Sequence, residues 1–206
     1  FIDMSRVTVA ITGASGAIYA LRTLRALLMQ GVQVDLIVSK FGWMLVKEEG
    51  GFAGKQEQFL DFLVDRYGEA VKNGVCQIHG IQNLAATLAS GSATCDGMVV
   101  VPCSMKTLSG ITHGASSNLI ERAADVMLKE RRPLILVPRE TPMNLIHLKN
   151  MVSATEAGAV MVPAMPAFYQ RPETFEDLAD FIAGRILSLL GIEHALFPPW
   201  EGRLQM

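Results

Sequence analysis

Along the chain, short runs of β-branched apolar residues alternate with longer stretches in which apolar residues recur every three or four positions. The runs at 7–11, 32–38, 75–79, 97–102, 134–137 and 160–163 read as strands. The first is apolar without a break, apart from Thr8, which predicts burial on both faces, as in a parallel sheet covered by helices. Ile18, Leu21, Leu24, Leu27 and Leu28 form one stripe of a helix starting at Ala17, with Arg22 and Arg25 off it. Further helices are expected over 41–49, 56–67, 84–89 (capped by Asn83), from the 103–107 stretch, along Leu119, Ala123, Val126 and Met127, over 144–157, and over 174–190. The last opens with Thr174-Phe-Glu-Asp177, a capping-box spacing with Asp in place of Glu. Residues 110–114, bounded by two glycines, are expected to be a turn.

Strands and helices in alternation predict an α/β fold: a single doubly wound parallel sheet with helices on both faces, Rossmann-like or flavodoxin-like. No linker, repeat or low-complexity segment divides residues 4–206, which are read as one domain. Ligands of such sheets sit beyond the carboxyl ends of the strands. The polar residues outside the core gather there: Gly13 and Ser15, Ser39, Ser104 and Thr107, Arg139 and Glu140, and Tyr169.

The turn after the first strand, Thr12-Gly-Ala-Ser-Gly-Ala17, joins a strand to a helix start and aims free N–H groups at one point. Such a point favours a phosphate, although turns of this kind also occur with no ligand. A dinucleotide fingerprint wants three glycines, and Ser15 stands where the middle one belongs. It also wants an acid at the end of the second strand, where Ser39-Lys40 stands; Asp35 lies in mid-strand. Short-chain dehydrogenases share the turn, but no Tyr-x-x-x-Lys follows, and the turn is not a G-x-S-x-G nucleophile elbow. FMN is favoured over NAD.

Composition narrows the choice. Of 206 residues half are apolar and 18% charged, with a net charge of −2, which argues for apolar surface hidden in a homo-oligomer. Neither a basic bias for nucleic acid nor a charge-free run of membrane-spanning length appears. Three cysteines without C-x-x-C spacing argue against a disulfide framework or zinc site. A cytoplasmic setting is expected, with residues 1–3 a remnant ahead of an initiator Met4.

Val101-Pro-Cys-Ser-Met-Lys-Thr-Leu-Ser109, Asn118-Leu-Ile-Glu-Arg-Ala-Ala-Asp125 and Val137-Pro-Arg-Glu-Thr-Pro142, together with the opening turn, resemble the flavin prenyltransferases (the UbiX family). His147-Leu-Lys-Asn-Met151, Pro163-Ala-Met-Pro-Ala-Phe-Tyr169 and Gly184-Arg185 extend the resemblance over nearly the whole chain, apart from 50–80 and the last residues. It implies transfer of a dimethylallyl group from dimethylallyl phosphate to reduced FMN, giving a prenylated flavin for a UbiD-type decarboxylase. It also implies a dodecameric assembly. The implied FMN contacts are Gly13, Ala14, Ser15, Ser39, Ser104, Met105, Lys106, Thr107 and Arg139. The implied prenyl-phosphate site holds Arg122, Lys129, Tyr169 and Arg185, with Trp200 covering it; Ser15, Glu49, Glu140 and Tyr169 are the implied catalytic groups.

Physical chemistry agrees with these roles. A departing phosphate needs its growing charge held, and without a D-D-x-x-D motif for Mg²⁺ that task falls to Arg and Lys, so no metal is expected. Aromatic faces at Tyr169 and Trp200 suit an allyl cation. Each group also has a plainer reading: Arg122 and Lys129 as a solvated helix face, Arg185 as a surface charge, Trp200 as an interface plug, Glu140 as a strut for Arg139 or Arg122. The four histidines read as structural. Two other functions remain open at this point, an FMN-dependent cysteine decarboxylase and a non-catalytic FMN-binding subunit. His79 would be a poor version of the former's catalytic histidine.

Overall fold

The computed structural model describes residues 5–198. Six parallel strands form the sheet: β1 (Arg6–Ile11), β2 (Gln33–Val38), β3 (Val75–His79), β4 (Gly97–Cys103), β5 (Leu134–Pro138) and β6 (Val160–Met161). Seven α-helices are described: α1 (Ala17–Met29), α2 (Lys40–Glu48), α3 (Phe59–Tyr67), α4 (Met105–Thr112), α5 (Leu119–Lys129), α6 (Leu145–Glu156) and α7 (Phe175–Leu189). The strand order 3-2-1-4-5-6 reverses between β1 and β4, the switch point at which doubly wound sheets bind ligands. Among the described residues no helix is long and apolar enough to cross a membrane.

Alternation of side chains across the pleat splits the core in two. Val7, Val9 and Ile11 of β1 pack with α1, α3 and α7 on one face. Ala10, Met98 and Val100 pack with α4, α5 and α6 on the other. Mid-strand Asp35 is fully buried, and its carboxylate accepts from Arg6 Nε (2.5 Å) and Nη2 (3.2 Å) and pairs with His79 Nε2 (2.8 Å). Three strands are thereby tied through one charge that would be costly to bury unpaired.

Four elements differ from the sequence expectation. No helix forms over 84–89; only a short 3-10 turn at Thr87–Ala89 is present, because Ala86 takes an extended backbone and the stretch is too short to hold a helix by itself. The 80–96 crossover instead lies along α5: Leu119 N donates to Ile81 O (2.8 Å) and Arg122 Nε to Ala89 O (3.1 Å). Gly110 lies inside α4 rather than in a turn. A Cβ there would come within 2.3 Å of Glu121 Oε1, so this glycine serves the close approach of α5. β6 is two residues, since Pro163 has no N–H to continue the ladder, although Val162 and Ala164 still donate to Leu136 O and Pro138 O. Finally, the 56–67 helix opens with a 3-10 turn, Gln56–Gln58.

Candidate functional site

The switch point is fastened by a residue the sequence reading passed over. Thr12, buried just past β1, donates through Oγ1 to Pro102 O (2.7 Å) and accepts from Ser104 N (2.8 Å). The turn after β1 and the start of α4 are held together where their strands diverge. A hydroxyl at a strand end was the signal in the sequence, and Thr12 shares it with many core threonines.

Three helix starts meet there. Ser39 caps α2, its Oγ accepting from Gly42 N (3.0 Å), and Ser104 caps α4, accepting from Thr107 N (3.3 Å). Lys106 and Met105 stand in the first turn of α4. Gly13 lets the first turn of α2 press against β1: a Cβ on Gly13 would lie 2.6 Å from Phe41 Cβ. Gly16 caps α1 at φ 119°, in the left-handed region that glycine tolerates. No side chain on α1 itself satisfies its first N–H groups. The Glu49 carboxylate does so from the far end of α2, accepting from Gly16 N (2.8 Å) and Ala17 N (2.9 Å).

The same carboxylate also receives the Ser15 hydroxyl and feels the Arg139 charge. Desolvation pushes the Glu49 carboxyl upward, but these hydrogen bonds and the arginine outweigh it and hold the group below its ordinary range. Arg139, just past β5, keeps its Nε buried with no hydrogen-bond partner among the described residues. A cleft of about 240 Å³ opens beside Glu49, lined by Ile18 and Tyr19 of α1 and by Phe175 and Leu178 of α7. Burial raises the Tyr19 phenol's pKa, with Arg139 acting against it. Tyr19 was not singled out from sequence, since an aromatic at the start of a helix stripe looks like core.

The next residue, Glu140, turns back on its own backbone, accepting from Thr141 N (3.1 Å). Among the described residues it forms no ion pair with Arg139 or Arg122; Arg122 pairs with Asp125 (2.7 Å). Tyr169, in the loop after β6, meets Phe181 of α7 edge-on at 6.1 Å, and Phe181 meets Phe197 at 5.0 Å. Arg185 is exposed one turn along α7 from Phe181. Gly184 beside it makes room for the tail, because a Cβ there would strike Phe197 at 2.3 Å.

Arg122 and Lys129 do not join this group. Lys129 ends α5 at the amino edge of the sheet, paired with Glu130 and near Gly91. Arg122 clasps the 80–96 crossover. Trp200 lies outside the described residues. His79 ends a strand and is bonded to Asp35, away from any helix start. Burial pushes the Cys103 thiol, at the end of β4, up to about 12, which leaves it unfit as a nucleophile. Among the described residues no cluster of three His, Cys, Asp or Glu could hold a metal ion.

The Flavoprotein family pattern matches residues 2–187. The flavin prenyltransferase UbiX of Halalkalibacterium halodurans is 47% identical over 94% of this chain and 92% of its own length. The crystal structure of AnUbiX (PadA1) in complex with FMN and dimethylallyl pyrophosphate superposes with a TM-score of 0.84 at 42% identity, covering 97% of this chain and 99% of that one. A dodecameric FMN-dependent UbiX-like decarboxylase from Escherichia coli O157:H7 follows at 0.81 and 39%, covering 96% and 100%.

Proposed function

The chain belongs to the flavin prenyltransferase (UbiX) family, and from that membership we propose that it moves a dimethylallyl group from dimethylallyl phosphate to reduced FMN, with no metal, in the cytoplasm. The prenylated flavin then serves a UbiD-type decarboxylase. Arg139 is the observation that carries the flavin reading. A buried guanidinium nitrogen without a partner, at the carboxyl end of a strand beside a Gly-rich turn, lacks only an acceptor, and a bound flavin supplies one. Gly13, Ala14 and Ser39 serve the flavin's phosphate, and Ser104, Met105, Lys106 and Thr107 its remaining polar groups. FMN contributes the nucleophilic ring that accepts the prenyl carbon.

What the chain's own residues do follows from charge. The allylic C–O bond breaks with its electron pair on phosphate, so cations must hold that phosphate, and Arg185 with Tyr169 on the α7 side is suited to it. Ser15, next to the Gly16 N–H that binds the Glu49 carboxylate, forms a proton path with Glu49 at the turn, and Glu140 is the acid for the leaving group. Arg122 and Lys129 sit with the 80–96 crossover of their own chain. We assign them to the prenyl site of a neighbouring copy in a homo-oligomer. Exposed Leu145, Ile146, Leu148 and Val152 along α6 support self-association, as does the dodecameric E. coli relative. Cysteine decarboxylation has no comparable support, since His79 is committed to Asp35. Incubation with reduced FMN and dimethylallyl phosphate, read by the mass of the flavin, tests the proposal.

A further inference from the structure

We infer that Glu49 is a specificity-determining residue: its carboxylate is a built-in anion that fills the seat where a dinucleotide would place its diphosphate, and so confines the turn to a mononucleotide. The strand order is that of dinucleotide-binding sheets, in which the diphosphate rests on the N–H groups opening the first helix. Here those groups, Gly16 N and Ala17 N, are bonded at 2.8 and 2.9 Å to Glu49 Oε2. The Ser15 hydroxyl, standing where a dinucleotide fold has its middle glycine, points to the same carboxylate. A diphosphate arriving at α1 would find two backbone donors, Gly16 N and Ala17 N, already taken by Glu49. The flavin's single phosphate avoids the conflict by docking at the neighbouring start of α2, where Ser39 stands in place of a ribose-binding acid.

Asp35 makes the same distinction from the other side. The one acid of β2 is buried in mid-strand and held by Arg6 and His79, out of reach of an adenosine ribose. A dinucleotide is thereby denied both of its usual anchors, by two carboxylates that serve other partners.

The inference deepens the mononucleotide reading, resting on it for its biological meaning but not for its test. Calorimetry of the flavin-free protein with inorganic pyrophosphate compares wild type, Glu49→Ala and Glu49→Gln, with FMN titrated in parallel. Alanine empties the seat, so its pyrophosphate affinity should rise at least about tenfold, the scale of one charge-assisted contact. Glutamine is uncharged but keeps the seat filled, and should gain less than about threefold. A gain of less than about tenfold for alanine would overturn the inference, as would a gain of about threefold or more for glutamine. If alanine fails to fold, Glu49→Ser, too short to reach α1, is read by the same criteria. Failure of wild type to bind FMN would sink the ligand reading while leaving the pyrophosphate comparison intact.

Discussion

Glu140 follows Arg139 out of β5, and among the described residues its carboxylate accepts from a local backbone N–H, Thr141 N, rather than from either arginine. If it gives its proton to the departing phosphate, Glu140→Gln should bind FMN and prenyl phosphate nearly as wild type yet turn over about 10²–10⁴-fold more slowly. Turnover within a few-fold of wild type, with an unchanged pH profile, would return it to a structural role. Glu49 makes a different prediction, because its folded pKa lies below the ordinary 4.5. A depressed carboxyl contributes stability that is complete above the unfolded pKa and is lost as pH falls through the folded one. The stability gap between wild type and Glu49→Gln should therefore be full at pH 7 and shrink below pH 4.5. Denaturant melts at several pH values measure it, and a gap that persists unchanged to pH 3 would contradict the assignment. No sequence pattern announced this contact, since Glu49 and Gly16 are 33 positions apart and belong to different helices. Arg139, by contrast, stood out as a charge ending a buried apolar run.

At the scale of elements, periodicity and caps were legible where an element is defined by its own residues. β1, β4 and β5 appear as apolar runs, and Asn144, Ser104 and Thr174 mark the starts of α6, α4 and α7. The Thr174 cap accepts from Asp177 N (3.1 Å), and Asp177 answers by accepting from Thr174 N (2.9 Å). Thr174→Ala should cost about 1 kcal/mol in a denaturant melt, and a loss below about 0.3 kcal/mol would mean that the α1–α7 packing alone sets this end. That packing includes the twin-bonded Arg22–Asp180 pair, at 2.6 and 2.5 Å. The segments that misled are those whose conformation a neighbour decides. Gly110 reads as a breaker until Glu121 is seen against it, and 84–89 reads as a helix until α5 claims its backbone. Local propensity is a weak prior in both places, and tertiary contact overrides it.

For the molecule as a whole, the doubly wound architecture and the edge of the sheet that carries the site were both readable from alternation alone. Fold by itself does not fix chemistry; the ordered set of motifs and the family relationship supply the reaction. Seven-residue spacing put Arg122 and Lys129 on one helix face, yet Lys129 ends α5 at the amino edge of the sheet, opposite the edge that carries Arg139, while Arg122 near the helix start bonds Ala89 O and Asp125. The central claim is a transfer, so the most direct measurement is the mass of the flavin after anaerobic incubation of the protein with reduced FMN and dimethylallyl phosphate in the presence of EDTA. The account predicts that the flavin gains one dimethylallyl group at an undiminished rate without divalent metal. Recovery of unmodified FMN from protein that binds both ligands, or product formation only when Mg²⁺ is restored, would contradict it.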